Sequence, residues 1–546
     1  MKKWTEGGQP WIWLSAGALS CALIMLLGTL GWIAAQGLHH FWPKPIYQLE
    51  LPATDASSPR ALSFLAQPLR SGQVVDQSQD EQLWRLGNRD LQNQEYLWLP
   101  KSAGAEFSRP ENALRIERQA WGDLFGFAQA LIWQETQEDT RQEQRVPAEA
   151  AEFWSSLQTQ LRVTQALQQQ IRLLERREMG RLNQQLEQIR RQLRTSASHD
   201  PDTHAALLTT QQQLLHDHER LRLYLQNLYQ QAAQPQLEIR LAQGETHALG
   251  LDQILRITRP NALSFIEKLQ LYLHNIWAFL TENPREANTQ GGIFPALYGT
   301  LVMVLLMTLL VTPFGVLAAI YLHEYAGKSL LARWIRISVY NLAGIPSIVF
   351  GVFGLGFFIY LVGGQLDQWL FADALPAPTL GTPGLIWVSL TLALLTLPVV
   401  IVATEEGLAR IPRSLRDGSL ALGATPAETL WRIILPLATP AMLTGLILAI
   451  ARAAGEVAPL MLVGVVKLAP TLPLDDVFPY LHLDRKIMHL GYHIFDASFQ
   501  SPDPEAARPL VYATALVLIL LILLLNLSAI RIRHHLRERY QRFHNL

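Results

Sequence analysis

Six stretches of this chain are apolar for about the ~20 residues that a helix needs to cross roughly 30 Å of hydrocarbon. They run Trp11–Ala35, Pro295–Tyr321, Tyr340–Val362, Leu385–Ala403, Leu437–Val465 and Leu510–Ile530. Lipid offers no partner for backbone N–H and C=O groups, so each must span as a helix. The expected architecture is therefore an all-α polytopic membrane protein. The first run follows Met1-Lys2-Lys3, as the core of a secretory signal would, but it is too long for one and no small-residue cleavage site follows. It is expected to stay as an anchor.

Charge sets the orientation. Basic residues gather in the Met1–Pro10 tail (Lys2, Lys3), between the second and third runs (Lys328, Arg333, Arg336), and between the fourth and fifth (Arg410, Arg413, Arg416, Arg432). They also crowd the C-terminal tail (Arg531, Arg533, Arg537, Arg539, Arg542), whereas Gly363–Thr382 has no Lys or Arg. The positive-inside rule then places both termini and the Arg413–Arg432 loop in the cytoplasm. A net charge of −1 gives no whole-chain attraction to nucleic acid. The single cysteine, Cys21, excludes an intrachain disulfide and a Cys-rich metal site.

The resulting division is a cytoplasmic tail (1–10), a first transmembrane helix (11–37), a periplasmic insertion (38–292), a five-helix membrane domain (293–531) and a basic cytoplasmic tail (532–546). With 546 residues there is room for more than one folding unit. The insertion is mixed. To about Pro147 it shows no sustained helical period, and Glu95-Tyr96-Leu97-Trp98-Leu99 reads as a short strand. Beyond that, Leu182, Leu186, Ile189 and Leu193 recur at helical spacing, as do Leu214, Leu221, Leu225 and Leu228, with a break at Ser196–Thr203 around Asp200-Pro201. This predicts an antiparallel coiled-coil hairpin over about 150–232.

The loop before the fifth run is the most informative segment. Asp417 opens a short helical stretch; Gly423 can take the left-handed conformation that ends it. Thr425 then caps a second helix, Pro426 suits its first turn, and Glu428 completes a capping box. Nine residues separate Gly423 from Ile433-Ile434-Leu435-Pro436. A rigid helix–turn–helix of this kind, facing the cytoplasm, is suited to transmitting a push from a partner.

That spacing resembles the ATPase-docking loop of bacterial ABC importer permeases, which reads Glu-Ala-Ala, three residues, Gly, nine residues, Ile-x-Leu-Pro. Here Asp417-Gly418-Ser419 stands in place of Glu-Ala-Ala. Gly291-Gly292-Ile293-Phe294-Pro295-Ala296, Gly299-Thr300, the run Gly315 to Tyr325, Gly344-Ile345-Pro346-Ser347-Ile348-Val349-Phe350-Gly351, Leu397-Pro398 to Glu405-Glu406, and Ala449 to Glu456 look like the PstA-type phosphate permeases. The resemblance covers roughly 259–531 and implies the six-helix (MetI-like) permease fold. It also implies a PstC-like second permease, a PstB-like ATPase dimer and a PstS-like periplasmic phosphate-binding protein as partners, and Asp417, Gly423, Thr425, Glu428, Ile433, Leu435 and Pro436 as the coupling loop.

No catalytic chemistry is expected of the chain itself, and no cofactor. Ala326-Gly327-Lys328-Ser329 lacks the first glycine of a nucleotide-binding P-loop, because Leu322 stands there. The histidines show no metal-ligand spacing. Two charges fall in an otherwise apolar run: Arg452 and Glu456, at i and i+4, share one helix face about 6 Å apart along the axis. Such charges face a pathway or each other, so the pair is a candidate anion pathway, with a structural ion pair as the competing use. Other readings of the whole are a permease for another oxyanion or solute, and a coiled-coil membrane scaffold or sensor.

Overall fold

The computed structural model describes residues 9–51, 62–73, 80–92, 95–100, 106–137, 140–196, 201–327, 329–372, 375, 377–469, 471–475, 478, 480–501 and 504–544. They form two compact units, residues 41–277 and residues 1–40 with 278–546.

In the membrane unit, six helices are long and apolar enough to span: Trp11–His39, Phe294–Tyr325, Ser347–Leu370, Leu385–Ala409, Pro426–Gly455 and Ala506–His535. Two differ from the sequence expectation. Tyr340 belongs to a separate helix, Leu330–Leu342, whose N-cap Ser329 accepts a hydrogen bond from the Ala332 N–H. Gly344-Ile345-Pro346 then interrupts, because a proline disfavours helix at the residue before it, and the third span starts only at Ser347. The fifth span is shifted towards the N-terminus. It begins at Pro426, stays helical through a wider π-helical turn at Leu430–Ile434, and ends at Gly455.

Small residues decide how closely the spans pack. A Cβ on Gly445 would lie 2.4 Å from the Ala403 Cβ, and one on Gly407 would lie 2.5 Å from the Ala441 Cβ. The fourth and fifth spans therefore touch along a small-residue seam, as is usual where lipid supplies no hydrophobic drive. Gly315 does the same for the second and fourth, its Cβ position lying 2.6 Å from Val400 Cγ1. Met303, Met307, Val311, Leu392, Leu395, Val400, Ala449 and Ala453 fill the common core. The first span rests on the last through Trp32 and Tyr512, whose rings lie edge to face at 5.0 Å.

The other unit mixes strands with helices, the composition the sequence predicts for the insertion. It holds two antiparallel sheets. The first runs in the order β4 (Tyr96–Pro100), β3 (Asp80–Arg85), β2 (Leu62–Gln73), β1 (Tyr47–Leu51), β5 (Glu106–Ser108). The second runs β10 (Thr246–Gly250), β9 (Gln236–Arg240), β7 (Asp123–Gln137), β6 (Leu114–Arg118), β11 (Ile254–Thr258), with β8 (Thr140–Pro147) against the end of β7. In β9, Leu237 and Ile239 are buried while Gln236 and Arg240 face out, the alternation of a half-buried strand. The central β7 shows no such alternation because both its faces are covered. Leu124 joins the cluster of Leu114, Ile116, Leu237 and Ile239, whereas Phe125 joins Ile46, Leu65 and Ala113. A register shift between Ala128 and Ala130 then breaks the phase.

The helices Phe153–Leu173, Gly180–Ser196 and Pro201–Ala233 are inserted between β8 and β9, two strands that both pair with β7. A π-helical segment, Leu174–Met179, joins the first two. Ile171, Leu225 and Leu228 are buried together with Leu167, Leu174 and Leu221 around them. Tyr229 donates to Glu175 Oε1 at 2.6 Å across the pair. Residues 197–200, where the sequence predicts the break, lie outside the described residues.

Candidate functional site

The sequence-predicted loop folds as two helices at the foot of the second, fourth and fifth spans. The first, Arg413–Ala421, ends in a Schellman turn: Gly423 N–H reaches Leu420 O at 3.0 Å and Ala424 N–H reaches Ser419 O at 3.2 Å. Gly423 has φ +88°, which only glycine adopts without cost. Thr425 accepts from the Glu428 N–H at 3.3 Å, and Glu428 accepts from the Thr425 N–H at 3.0 Å, a reciprocal capping box.

The second helix of the loop is the beginning of the fifth span itself. From Pro426 the chain is helical to Gly455, passing Pro436 and Pro440. The two loop helices are tied by a buried hydrogen bond of 2.8 Å between the Ser419 and Thr429 hydroxyls. Leu430 and Ile434 are buried among Val316, Ile320, Leu408 and Ile411. Ile433, Leu435 and Pro436 are half-buried, and Asp417 is exposed. Sequence reasoning thus named the neighbours of the two anchoring residues, because a spacing motif does not say which side of the helix faces inward. Leu420, Leu422 and Trp431 are exposed at the corner, Leu422 at 91%.

From the sequence, Arg416 marks only the cytoplasmic side. Its guanidinium reaches Glu324 Oε1 at 2.8 Å and the Leu408 carbonyl at 3.3 Å, so the first loop helix is bonded to the ends of the second and fourth spans. Arg336 makes a parallel link, to Glu405 Oε1 at 2.8 Å and the Leu322 carbonyl at 2.6 Å. The segment that superficially resembles a P-loop is the connection into the Leu330 helix: Ser329 caps it, and Lys328 lies outside the described residues.

At the other end of the fifth span, Arg452 Nε lies 3.3 Å from Glu456 Oε1. The shared helix face predicted from sequence holds only for Arg452. Glu456 sits one residue past the helix end, in extended conformation (ψ 136°), so it reaches back to the arginine from the loop. The side chains keep 35% and 19% of their exposure, leaving both open to the surroundings. Pro459 lies against the third span, where a Cβ on Gly351 would come within 2.7 Å of its Cα.

A buried polar cluster was not anticipated. Lys467 Nζ lies 3.0 Å from Asp496 Oδ2, and Asn288 Nδ2 donates to the Lys467 carbonyl at 2.8 Å. His489 and His493 are buried beside it, which brings each down to about 4. The Leu490 N–H donates to Thr300 Oγ1 at 3.0 Å, pinning the segment between the fifth and sixth spans to the second span. No local pattern joins residues so far apart in sequence. Among the described residues no group of His, Cys, Asp or Glu is arranged to hold a metal ion.

A rigid two-helix loop under an apolar six-helix unit defines a class of transport-system membrane subunits. Residues 311–542 match the family described as "Binding-protein-dependent transport system inner membrane component". "Phosphate transport system permease protein PstA" of Yersinia pestis is 35% identical over 254 residues, 46% of this chain and 76% of that protein. "Phosphate transport system permease protein PstA 1" of Mycobacterium tuberculosis is 42% identical over 175 residues, 32% of this chain. The match spans only about half, 52%, of that mycobacterial relative. A chain of the inward-facing MetNI methionine ABC transporter superposes with a TM-score of 0.33 at 18% identity, covering 44% of this chain and 94% of that one. The chain belongs to the PstA-type permease family of multi-pass inner-membrane transport subunits.

Proposed function

We propose that this chain is a membrane permease subunit of an ATP-driven importer that carries inorganic phosphate. The observation that carries the reading is the coupling loop, built as a rigid turn whose second helix continues into the fifth span, in a chain whose relatives are phosphate permeases. The partners are a PstC-like second permease, a PstB-like ATPase dimer docking on the exposed Leu420, Leu422 and Trp431, and a PstS-like phosphate-binding protein. ATP hydrolysis belongs to the ATPase. Both termini are cytoplasmic and residues 38–292 lie in the periplasm, a reading supported by the basic loops. Within that insertion, the helical pair of 153–196 and 201–233 acts as a coiled-coil hairpin; its shared leucine seam supports this.

Mechanically, a push on the first loop helix reaches the second and fourth spans through Arg416 and the fifth through Thr429 and the continuous helix. Arg452 is the candidate phosphate ligand of the pathway. Its guanidinium stays charged and can donate to two phosphate oxygens at once. Glu456, already within reach of it, competes for the same donors and lets the anion go.

Deleting the gene in a strain without other phosphate carriers should abolish ATP-dependent phosphate uptake under starvation, and unchanged uptake would defeat the assignment. A phosphatase reporter inserted at the open turn of Gly244 should be active on the periplasmic side; an inactive, stable fusion would reverse the orientation.

A further inference from the structure

The ends of the fourth and sixth spans leave a space against the fifth. The fourth span stops at Ala409, the chain turns through Ile411 and Pro412, and the first loop helix leaves from Arg413. Between this turn, the fifth span and the tail of the sixth lies a cavity of about 660 Å³, within the range of small-ligand pockets. Gly407 and Ala441 on its lining are too small to fill it. Its walls are of two kinds. Ile411, Leu415, Leu437, Pro440 and Ile530 line it with hydrocarbon. The remaining edge carries Arg410, Arg533, His534 and the Thr444 hydroxyl, and among the described residues no carboxylate lines it.

Two of the cations have carboxylates outside the cavity. Arg410 lies 3.9 Å from Glu406 and His534 lies 3.1 Å from Glu538, with all four side chains more than half exposed. Such exposed pairs are worth little, so neither holds its cation firmly. Arg533 differs. It falls within the sixth span, and its Nη1 donates to Thr444 Oγ1 at 2.9 Å, a neutral partner. The Thr444 hydroxyl is itself oriented, donating to the Pro440 carbonyl at 2.8 Å. The guanidinium is thus drawn sideways onto the fifth span, where an arginine near a span end would otherwise extend to water. Among the described residues no carboxylate balances it. Arg531, by contrast, is an ordinary end-of-span charge: it is exposed and takes no part in the cavity lining.

Hydrocarbon walls beside three cations, at the ends of the spans, suit a ligand that carries an anion and an acyl chain in one molecule. A free phosphate would use the cations and leave the apolar walls wet. A zwitterionic lipid brings its own cation to its phosphate and leaves Arg533 unbalanced. We propose that the cavity binds an anionic phospholipid, its phosphate taking donors from Arg410 and Arg533 with His534 at its edge, and an acyl chain lying along Leu437, Pro440 and Ile530. The assignment does not depend on what the importer carries.

The test uses the full purified chain in detergent, with native mass spectrometry of the lipid it retains from mixtures of phosphatidylglycerol and phosphatidylcholine. The wild type should retain phosphatidylglycerol in preference. Arg533→Gln should weaken that retention about tenfold, the scale of one charge-assisted contact, and Arg533→Lys should keep most of it. Arg531→Gln, which changes the net charge equally, should bind as the wild type does. In the unmodified protein, phosphatidylglycerol with a photoreactive acyl chain should label residues 437–444 above other lipid-facing segments, a reading that needs no variant. Inorganic phosphate should not displace the lipid, and displacement would make the ligand a free anion and end the lipid assignment. Equal retention of the two lipids by the wild type, equal losses for Arg533→Gln and Arg531→Gln, or labelling of 437–444 no stronger than elsewhere would overturn the site.

Discussion

Replacing Gly423 tests whether the loop works as a rigid lever. Its φ of +88° lies where an L-residue is disfavoured, and a Cβ there would meet nothing within 4 Å. The penalty is therefore purely one of backbone, about 1–2 kcal/mol for alanine, or roughly a 5- to 30-fold loss in the population of the formed turn. The two Schellman hydrogen bonds, 3.0 and 3.2 Å, would be lost with it. Valine should cost more, because branching at Cβ makes positive φ an outlier. Asparagine tolerates the left-handed region and should cost least. The assay is phosphate uptake and permease-stimulated ATP hydrolysis in proteoliposomes holding the co-purified complex, with membrane insertion and yield as controls. Coupling should fall in the order Asn, Ala, Val while insertion stays normal. Wild-type coupling in Gly423→Val, or equal losses for Asn and Val, would refute the reasoning, since neither is compatible with a conformational penalty at this residue.

Other perturbations probe the remaining elements. Arg416→Glu should uncouple ATP hydrolysis from transport by placing a carboxylate beside Glu324, and adding Glu324→Arg should restore part of it if the pair itself carries the push; no recovery would favour separate roles. Arg452→Gln should lose uptake with the complex still assembled, and Arg452→Lys should recover it only in part. Recovery in the double variant Arg452→Gln with Glu456→Gln would instead mark the pair as structural. His489 and His493 are held neutral by burial down to about pH 4, so between there and about 6.5 the unfolded chain binds protons that the fold excludes. Stability should be full above pH 6.5 and fall as pH drops, by at most about 3 kcal/mol per histidine. Thermal unfolding of the purified chain from pH 7 to 4 would show this, and a flat profile would contradict it.

The six spans and the two-helix loop of Arg413–Thr429 were legible because their signals are local. A run of about 20 apolar residues states its own helix, and Thr425, Glu428 and Gly423 state a cap and a stop within a few positions. The ends of the spans were less so. Pro346 delays the third, and Glu456 leaves the fifth, because termini depend on what the next residues can bond to. The sheets of the 41–277 unit were not legible beyond isolated strands. β7 is covered on both faces and shifted in register, which erases the period-two pattern a reader relies on. The long-range contacts were decided only in three dimensions. Arg416 and Glu324 are 92 residues apart, and Arg85, Arg115 and Asp123 come from separate strands. The chain determines by itself where helices form, since each helix makes its hydrogen bonds within one segment. Which distant charges meet, and which is left without a partner, follows from how sheets and spans pack. No short stretch of sequence contains that information.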